Sequence, residues 1–297
     1  MRKQEWGMLL ALSILWGGSF FFMKWATTEV PTYSIVLVRV ALAALTLRLV
    51  IGVSGIAIPR DIGLWRSFFT MGLINNVIPF SLLVWGMTEI ASGLAAILNA
   101  TTPMFTILVA HLLTHDERIS PSKLVGIFLG FFGVVVLIGF DALSGLDSAV
   151  LAMLACLGAA VSYALAAVYG RRFSQQGISP EISAYGQVTG STIILLPLVL
   201  AIDSPWQLPL PGLSTWLSLL ALGVLSTGLA YMLYFRILAA AGATNIALVT
   251  LLVPVSALLL GWGILDESLS LTQLFGMLLI GLGLLAIDGR LLRLGRT

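Results

Sequence analysis

Apolar runs of about 20 residues, the length at which a helix crosses a hydrocarbon core, recur ten times along the chain. They lie near 5–25, 31–52, 65–88, 91–114, 121–140, 148–170, 180–202, 212–236, 241–264 and 269–288. The separators are helix punctuation. Pro31 and Pro180 open the second and seventh runs, where a missing N–H costs nothing. Ser204-Pro205, Pro209 and Pro211-Gly212 mark one extended loop, while Ala91-Ser92-Gly93 and Ala240-Ala241-Gly242 permit tight hairpins. This pattern predicts an all-α integral membrane protein of ten transmembrane helices, with no room for a soluble domain.

Composition agrees. Apolar residues make up 59% of the 297 and charged residues 9%, against about 25% charged in an ordinary soluble domain. A water-facing shell cannot be built from so few charges, so lipid is the expected outer solvent. The run from Trp6 to Met23 continues straight into Lys24 and Trp25, which reads as a retained first helix rather than a cleaved signal. The single Cys156 excludes an internal disulfide. With the N-terminus placed in the cytoplasm, thirteen of the fifteen Lys and Arg residues fall on the inner side. Lys24 alone falls outside, and Arg39 lies within the second span. Both termini are expected inside, and the localisation is expected to be a bacterial inner membrane.

The chain also repeats itself. Pro103, Asp116-Glu117, Ser120, Leu124, Gly126 and Gly133 are matched by Pro254, Asp266-Glu267, Ser270, Leu274, Gly276 and Gly283. The offset is 151 at the prolines and 150 after the acidic pair. Upstream, Trp16-Gly17 stands opposite Tyr163-Ala164, Arg39 near Gln187, and Asn75-Asn76 opposite Ser226-Thr227. An odd number of helices per repeat forces the halves to point opposite ways, and the charges agree: Lys24 stands alone outside while its counterpart, Arg171-Arg172, is doubled inside. The expected organisation is 1–141 and 147–290 as two inverted five-helix repeats, followed by a basic cytoplasmic tail over 291–297. Inverted repeats are the usual architecture of secondary transporters.

At these residues the chain resembles a known family. Trp16-Gly17 in the first helix, Asn99 to Pro103 (Asn-Ala-Thr-x-Pro) in the fourth, and Glu117 followed by Leu124 and Gly126 look like the drug/metabolite transporter superfamily, and more narrowly its EamA-domain branch. The likeness spans the whole chain, and in overall layout it is similar to YddG-type amino-acid exporters. The resemblance implies a ten-helix basket, with spans one to four and six to nine around a central cavity and spans five and ten outside.

Polar groups in hydrocarbon are costly and usually face protein or a wet cavity. The lining helices supply Ser13, Trp16 and Phe20; Asn75, Asn76, Pro79 and Phe80; and Asn99, Thr102 and Thr106. From the second half come Ser162, Tyr163, Gln187, Ser226, Thr227, Tyr231, Tyr234, Asn245 and Thr250. Aromatic walls with amides and hydroxyls suit an amphipathic solute. The competing reading is structural: Ser and Thr often bond their own backbone, and Asn can join helices. Pro103 and Pro254 either act as pivots or fix static bends, and Pro79 joins them as a candidate hinge. The glycines at 126, 130, 133, 276, 281 and 283 are expected to let helices pack closely. Arg39 could hold a substrate carboxylate, or bond neighbouring carbonyls and snorkel outward. Its neutral repeat mate, Gln187, favours the second.

No carboxylate falls at a helix centre, which argues against proton coupling through a buried acid. His111 and His115 share a face, but no Cys or third His is near, so no metal site and no cofactor are expected. Neither a nucleophile–base pair nor a charged ring appears, which argues against an enzyme and a channel. The expected function is secondary transport of a small organic solute, an amino acid or related metabolite with export favoured, by alternating access. A drug or nucleotide-sugar carrier, or a membrane protein that does not transport, are the alternatives. The expected partners are the solute and the bilayer, with no nucleic acid; monomer and dimer both stay open.

Overall fold

The computed structural model describes residues 3–114, 119–139, 147–242, 246 and 248–288. His115, Asp116-Glu117, Arg118, Asn245 and the tail 291–297 lie outside the described residues. Among the described residues, eight helices are long and apolar enough to cross a membrane: α1 (Lys3–Ala26), α2 (Thr32–Val53), α3 (Ile62–Glu89), α4 (Ser92–Leu113), α5 (Pro121–Ile138), α6 (Ser148–Gln175), α7 (Pro180–Asp203) and α8 (Leu213–Leu238). Two shorter apolar helices follow, α9 (Val249–Leu265) and α10 (Leu271–Asp288). No strand occurs among these residues. The chain is a multi-pass membrane protein.

Local chemistry sets the helix starts. Asp147 Oδ1 accepts from Val150 N–H at 2.8 Å at the head of α6. Ser120 and Ser179 do the same at α5 and α7, with Pro121 and Pro180 in the first turn. The apolar side chains divide by partner rather than by polarity. On α1, Leu9 and Leu12 are buried while Leu10 and Ile14 are exposed. On α5, Phe128, Phe132 and Val135 form an exposed stripe. Greasy faces at this density are stable only against lipid.

Helix contacts follow a regular scheme. α1 packs on α9 and α4 on α6; α3 packs on α6 and α1 on α8; α2 packs on α8 and α3 on α7. Each of these pairs maps onto its companion when a helix is exchanged for the one five places along. α2–α7, α4–α9 and α5–α10 map onto themselves. α2 and α7 run antiparallel, with Ser34 meeting Asp203 at one end and Ile51 sharing an apolar cluster with Ile182 at the other.

α5 and α10 are also antiparallel and very close. A Cβ on Gly126 would sit 2.6 Å from Gly283 O, and one on Gly283 would sit 2.6 Å from Gly126 O. The same reciprocity holds for Gly133 and Gly276, at 2.8 Å each way. Only glycine permits this backbone approach. Gly281 departs from the expectation, since a Cβ there meets nothing within 4 Å. It points away from the helix contact.

Candidate functional site

The polar residues at the middle of the bundle are presented by two irregular turns. α3 is π-helical over Leu73–Val77, with Ile78 N–H reaching back to Leu73 O. α8 is π-helical over Ala221–Leu229. The two segments overlap under the repeat offset. Pro79 explains the first: it has no N–H, and its ring would crowd the carbonyl one turn back. A widened turn relieves that crowding and is a common device at functional sites. The neighbouring asparagines in it meet different partners. The loosened carbonyls are served by hydroxyls from other helices, Ser162 Oγ donating to Ile74 O at 2.6 Å and Ser191 Oγ lying 3.1 Å from Gly72 O.

Two polar bridges span the interior, one on α2–α8 and one on the repeat-related pair α7–α3. Arg39 Nε on α2 donates to Thr227 Oγ1 on α8 at 3.0 Å. Asn75 Nδ2 on α3 donates to Gln187 Oε1 on α7 at 2.8 Å. Thr227 gives its own proton to Leu222 O at 2.9 Å, which turns an oxygen lone pair toward Arg39. The bridges meet at aromatic rings. The Arg39 guanidinium carbon lies 3.6 Å from the Phe80 centroid, a cation–π geometry. Phe80 pairs edge-on with Tyr163 at 6.3 Å between centroids, and Asn75 Nδ2 lies 3.4 Å from Tyr231 Oη. Tyr163 and Tyr231 are each partly accessible at this place.

The cluster therefore unites Arg39, Asn75, Tyr163, Gln187, Thr227 and Tyr231, together with Phe80. Trp16 joins at one edge through Tyr234, 5.6 Å between centroids, and Tyr234 abuts Phe235 at 5.3 Å. Other expected lining residues are placed elsewhere. Asn76 is fully buried and donates to Ser191 Oγ at 3.0 Å, tying α3 to α7. Phe20 is packed in the apolar core. Ser13 bonds its own helix at Leu10 O, and its carbonyl accepts from Ser256 Oγ at 2.7 Å, so it faces α9. Thr250 lies in the first turn of α9.

The two repeat-related prolines sit in different surroundings. Pro254 is buried inside an unbroken α9. Pro103 follows an interruption at Ala100-Thr101, where α4 divides into Ser92–Asn99 and Thr102–Leu113. The carbonyl that Pro103 leaves without an N–H is that of Asn99. Thr102 Oγ1 donates to it at 2.6 Å. Beside the break, Asn99 Oδ1 is buried with no hydrogen-bond partner.

Polar ties gather at one end of the bundle, three of them between the halves and one, from Lys24, within the first half. Glu267, just past α9, accepts from Ser92 N–H and Ser92 Oγ at 2.7 Å each and from Gly93 N–H at 3.2 Å. It thereby caps α4, which has no side-chain cap of its own. Lys24 Nζ donates to Met87 O at 2.6 Å and Ile90 O at 3.1 Å at the end of α3. Asp203 accepts from Ser34 N–H at 2.6 Å, and Glu29 accepts from Gly212 N–H at 2.7 Å. Sequence reasoning did not find these ties, because each joins residues far apart in the chain. An open depression of about 970 Å³ is lined by Arg48, Trp65 and the 56–60 loop. It includes no residue of the central cluster.

Comparison with known proteins agrees with this architecture. The model of the EamA-like transporter family matches residues 5–139 and again 150–287. "Uncharacterized transporter YoaV" of Bacillus subtilis (strain 168) is 25% identical over 276 residues, covering 93% of this chain and 94% of that one. A "Probable amino-acid metabolite efflux pump" of Escherichia coli (strain K12) is 27% identical over 291 residues, covering 96% and 94%. "Uncharacterized inner membrane transporter YedA" of the same strain is 28% identical over 287 residues, covering 93% and 90%. A solved crystal structure superposes with a TM-score of 0.68 at 21% identity over 98% of both chains, a likeness of fold alone. The chain belongs to the EamA-like transporter family, a branch of the drug/metabolite transporters, and is a membrane transporter rather than an enzyme.

Proposed function

We propose that the protein is a secondary transporter that exports an amino acid or related metabolite across a bacterial inner membrane, by alternating access of two inverted five-helix halves. The halves are 1–141 and 147–290, both chain ends are cytoplasmic, and the partners are the solute and the lipid bilayer. The observation that carries this reading is the pair of bridges on repeat-related helix pairs, Arg39–Thr227 on α2–α8 and Asn75–Gln187 on α3–α7. Each crosses from one half to the other in the central cluster. Halves that exchange equivalent contacts have two arrangements of similar energy, which is the requirement for opening to either face. The antiparallel pairing of α2 with α7 and of α5 with α10 supports the inversion.

With the charge bias fixing the cytoplasmic side, the end held by Lys24, Glu267, Asp203 and Glu29 is the outer one, so the conformation described here is closed outward. The different surroundings of Pro103 and Pro254 fit two halves caught at different points of one cycle, with these prolines and Pro79 as pivots. Export of an amino-acid metabolite is the activity in the name of the Escherichia coli relative, and the aromatic and amide lining suits such a solute. A nucleotide sugar would need further cations beside Arg39, the one Lys or Arg within the central cluster. The test is counterflow of a panel of labelled amino acids into liposomes holding the purified protein. Exchange above that of empty liposomes is expected for at least one; exchange equal to empty liposomes across the panel would overturn the reading.

A further inference from the structure

Among the described residues, no carboxylate balances the charge of Arg39. It is the eighth residue of α2, roughly 12 Å along the helix from Pro31 at 1.5 Å per residue. Its side chain is 5% exposed. A guanidinium has five N–H donors in a fixed fork. One goes to Thr227 Oγ1, and Nη1 lies 3.2 Å from the Met23 thioether, a weak acceptor; the Phe80 face covers the plane. No carboxylate or main-chain carbonyl bonds it among the described residues. The acidic groups Glu29, Asp203 and Glu267 are engaged at the outer end of the bundle. Tyr163 and Tyr231, neutral hydroxyls of the central cluster, are the titratable side chains that interact with it electrostatically among the described residues. A buried cation without a counter-charge is costly. Such groups in membrane helices mark substrate pathways.

We propose that Arg39 is the anchor for a carboxylate carried by the solute, so that the anion completing this site arrives with each transport cycle. The proposal rests on the transport reading and narrows it to a substrate class. Planar, parallel N–H donors match a carboxylate in a way that lysine cannot. Among the described residues the cluster holds no carboxylate to receive an isolated organic cation, so cationic amphiphiles are expected to be poor ligands. A zwitterion is accommodated when its ammonium finds neutral acceptors. Asn75 Oδ1 and Tyr231 Oη are two such acceptors in the cluster, since Asn75 spends its Nδ2 on Gln187 and Tyr231.

The experiment is ligand-induced thermal stabilisation of the purified full-length protein in lipid nanodiscs. The probes are the twenty amino acids and a set of short-chain hydroxy and keto acids, each paired with its amide, and inorganic phosphate. At least one acid is expected to stabilise the wild type while its amide at the same concentration does not. Arg39→Gln is expected to weaken that acid tenfold or more, with Arg39→Lys falling between. An amide that works as well as its acid, phosphate that outcompetes every acid, or a panel in which no acid binds would each overturn the proposal. The acid–amide comparison uses the wild type, so it stands even if Arg39→Gln fails to fold. The two readings fail separately: flux in liposomes that is equal for acid and amide removes the carboxylate anchor alone, whereas acid binding without flux removes transport alone.

Discussion

Replacing Glu267 by Ala removes three hydrogen bonds from the start of α4, two of them to main-chain N–H groups that have no other partner in the first turn. Loss of an N-terminal cap costs about 0.5–2 kcal/mol, and loss of a partly buried negative charge at a helix N-terminus costs up to about 2 kcal/mol more. Together they place the effect at roughly 2–3 kcal/mol, borne by the state in which the clamp is made, which on the proposed orientation is closed outward. A change of that size shifts a two-state equilibrium on the order of 100-fold. The assay is labelling of a single cysteine, Tyr163→Cys with Cys156→Ala, by an impermeant maleimide applied to the outer face of intact cells. Glu267→Ala is expected to raise the labelling rate at least tenfold. Glu267→Gln should have a smaller effect, because it keeps an acceptor oxygen and loses only the charge. Ser92→Ala, which spares both main-chain bonds, should have the least. Labelling unchanged in Glu267→Ala while its melting temperature falls would refute the reasoning, because the clamp would then stabilise the fold without closing the outer face.

Three further outcomes follow from the geometry. Gly126→Val forces a side chain against Gly283 O and should destabilise the α5–α10 pair by about 1–3 kcal/mol, whereas Gly281→Ala, with open space around its Cβ, should be neutral or stabilising by up to ~1 kcal/mol; detergent-extracted melting temperatures separate the two. Pro103→Ala restores an N–H for Asn99 O and should slow turnover more than it weakens binding, and equal effects on both would remove Pro103 as a pivot. Asn75→Ala and Gln187→Ala each break the same bridge, so their effects on flux should be non-additive in a double-mutant cycle; simple addition would show the two acting independently.

The spans and the close glycine pairs were legible because each depends on a property the chain displays locally. About 20 apolar residues must cross the membrane as a helix, and glycines repeated at a 150-residue offset need a partner of equal smallness. The lining was less legible. A helix inside a bundle contacts protein on several sides, so a polar stripe does not say which neighbour it meets. Ser13 and Trp16 share a stripe, yet Ser13 turns to α9 and Trp16 to Tyr234 on α8. Asn75 and Asn76 are adjacent and diverge because successive residues on a helix project in different directions, here within the π-helical turn Leu73–Val77. Pro79, four residues after Asn75, was the only local hint of that turn. Ser191, missed as a partner of Asn76, lies four residues after Gln187 and could have been found on the same face. Met23 continues the Trp16–Phe20 stripe at spacing three and could have been found in the same way. The Glu267 clamp joins residues 175 positions apart, beyond any pattern of spacing.

The opposite threading of the two halves is tested most directly at their equivalent first loops. Thr28 follows α1 and Gln176 follows α6, and both are exposed. Each is replaced by cysteine in turn, in a Cys156→Ala background, and intact cells are treated with an impermeant maleimide before and after permeabilisation. The two-halves account expects Thr28→Cys to react on intact cells and Gln176→Cys to react only after permeabilisation. Reaction of both from the same side would contradict it.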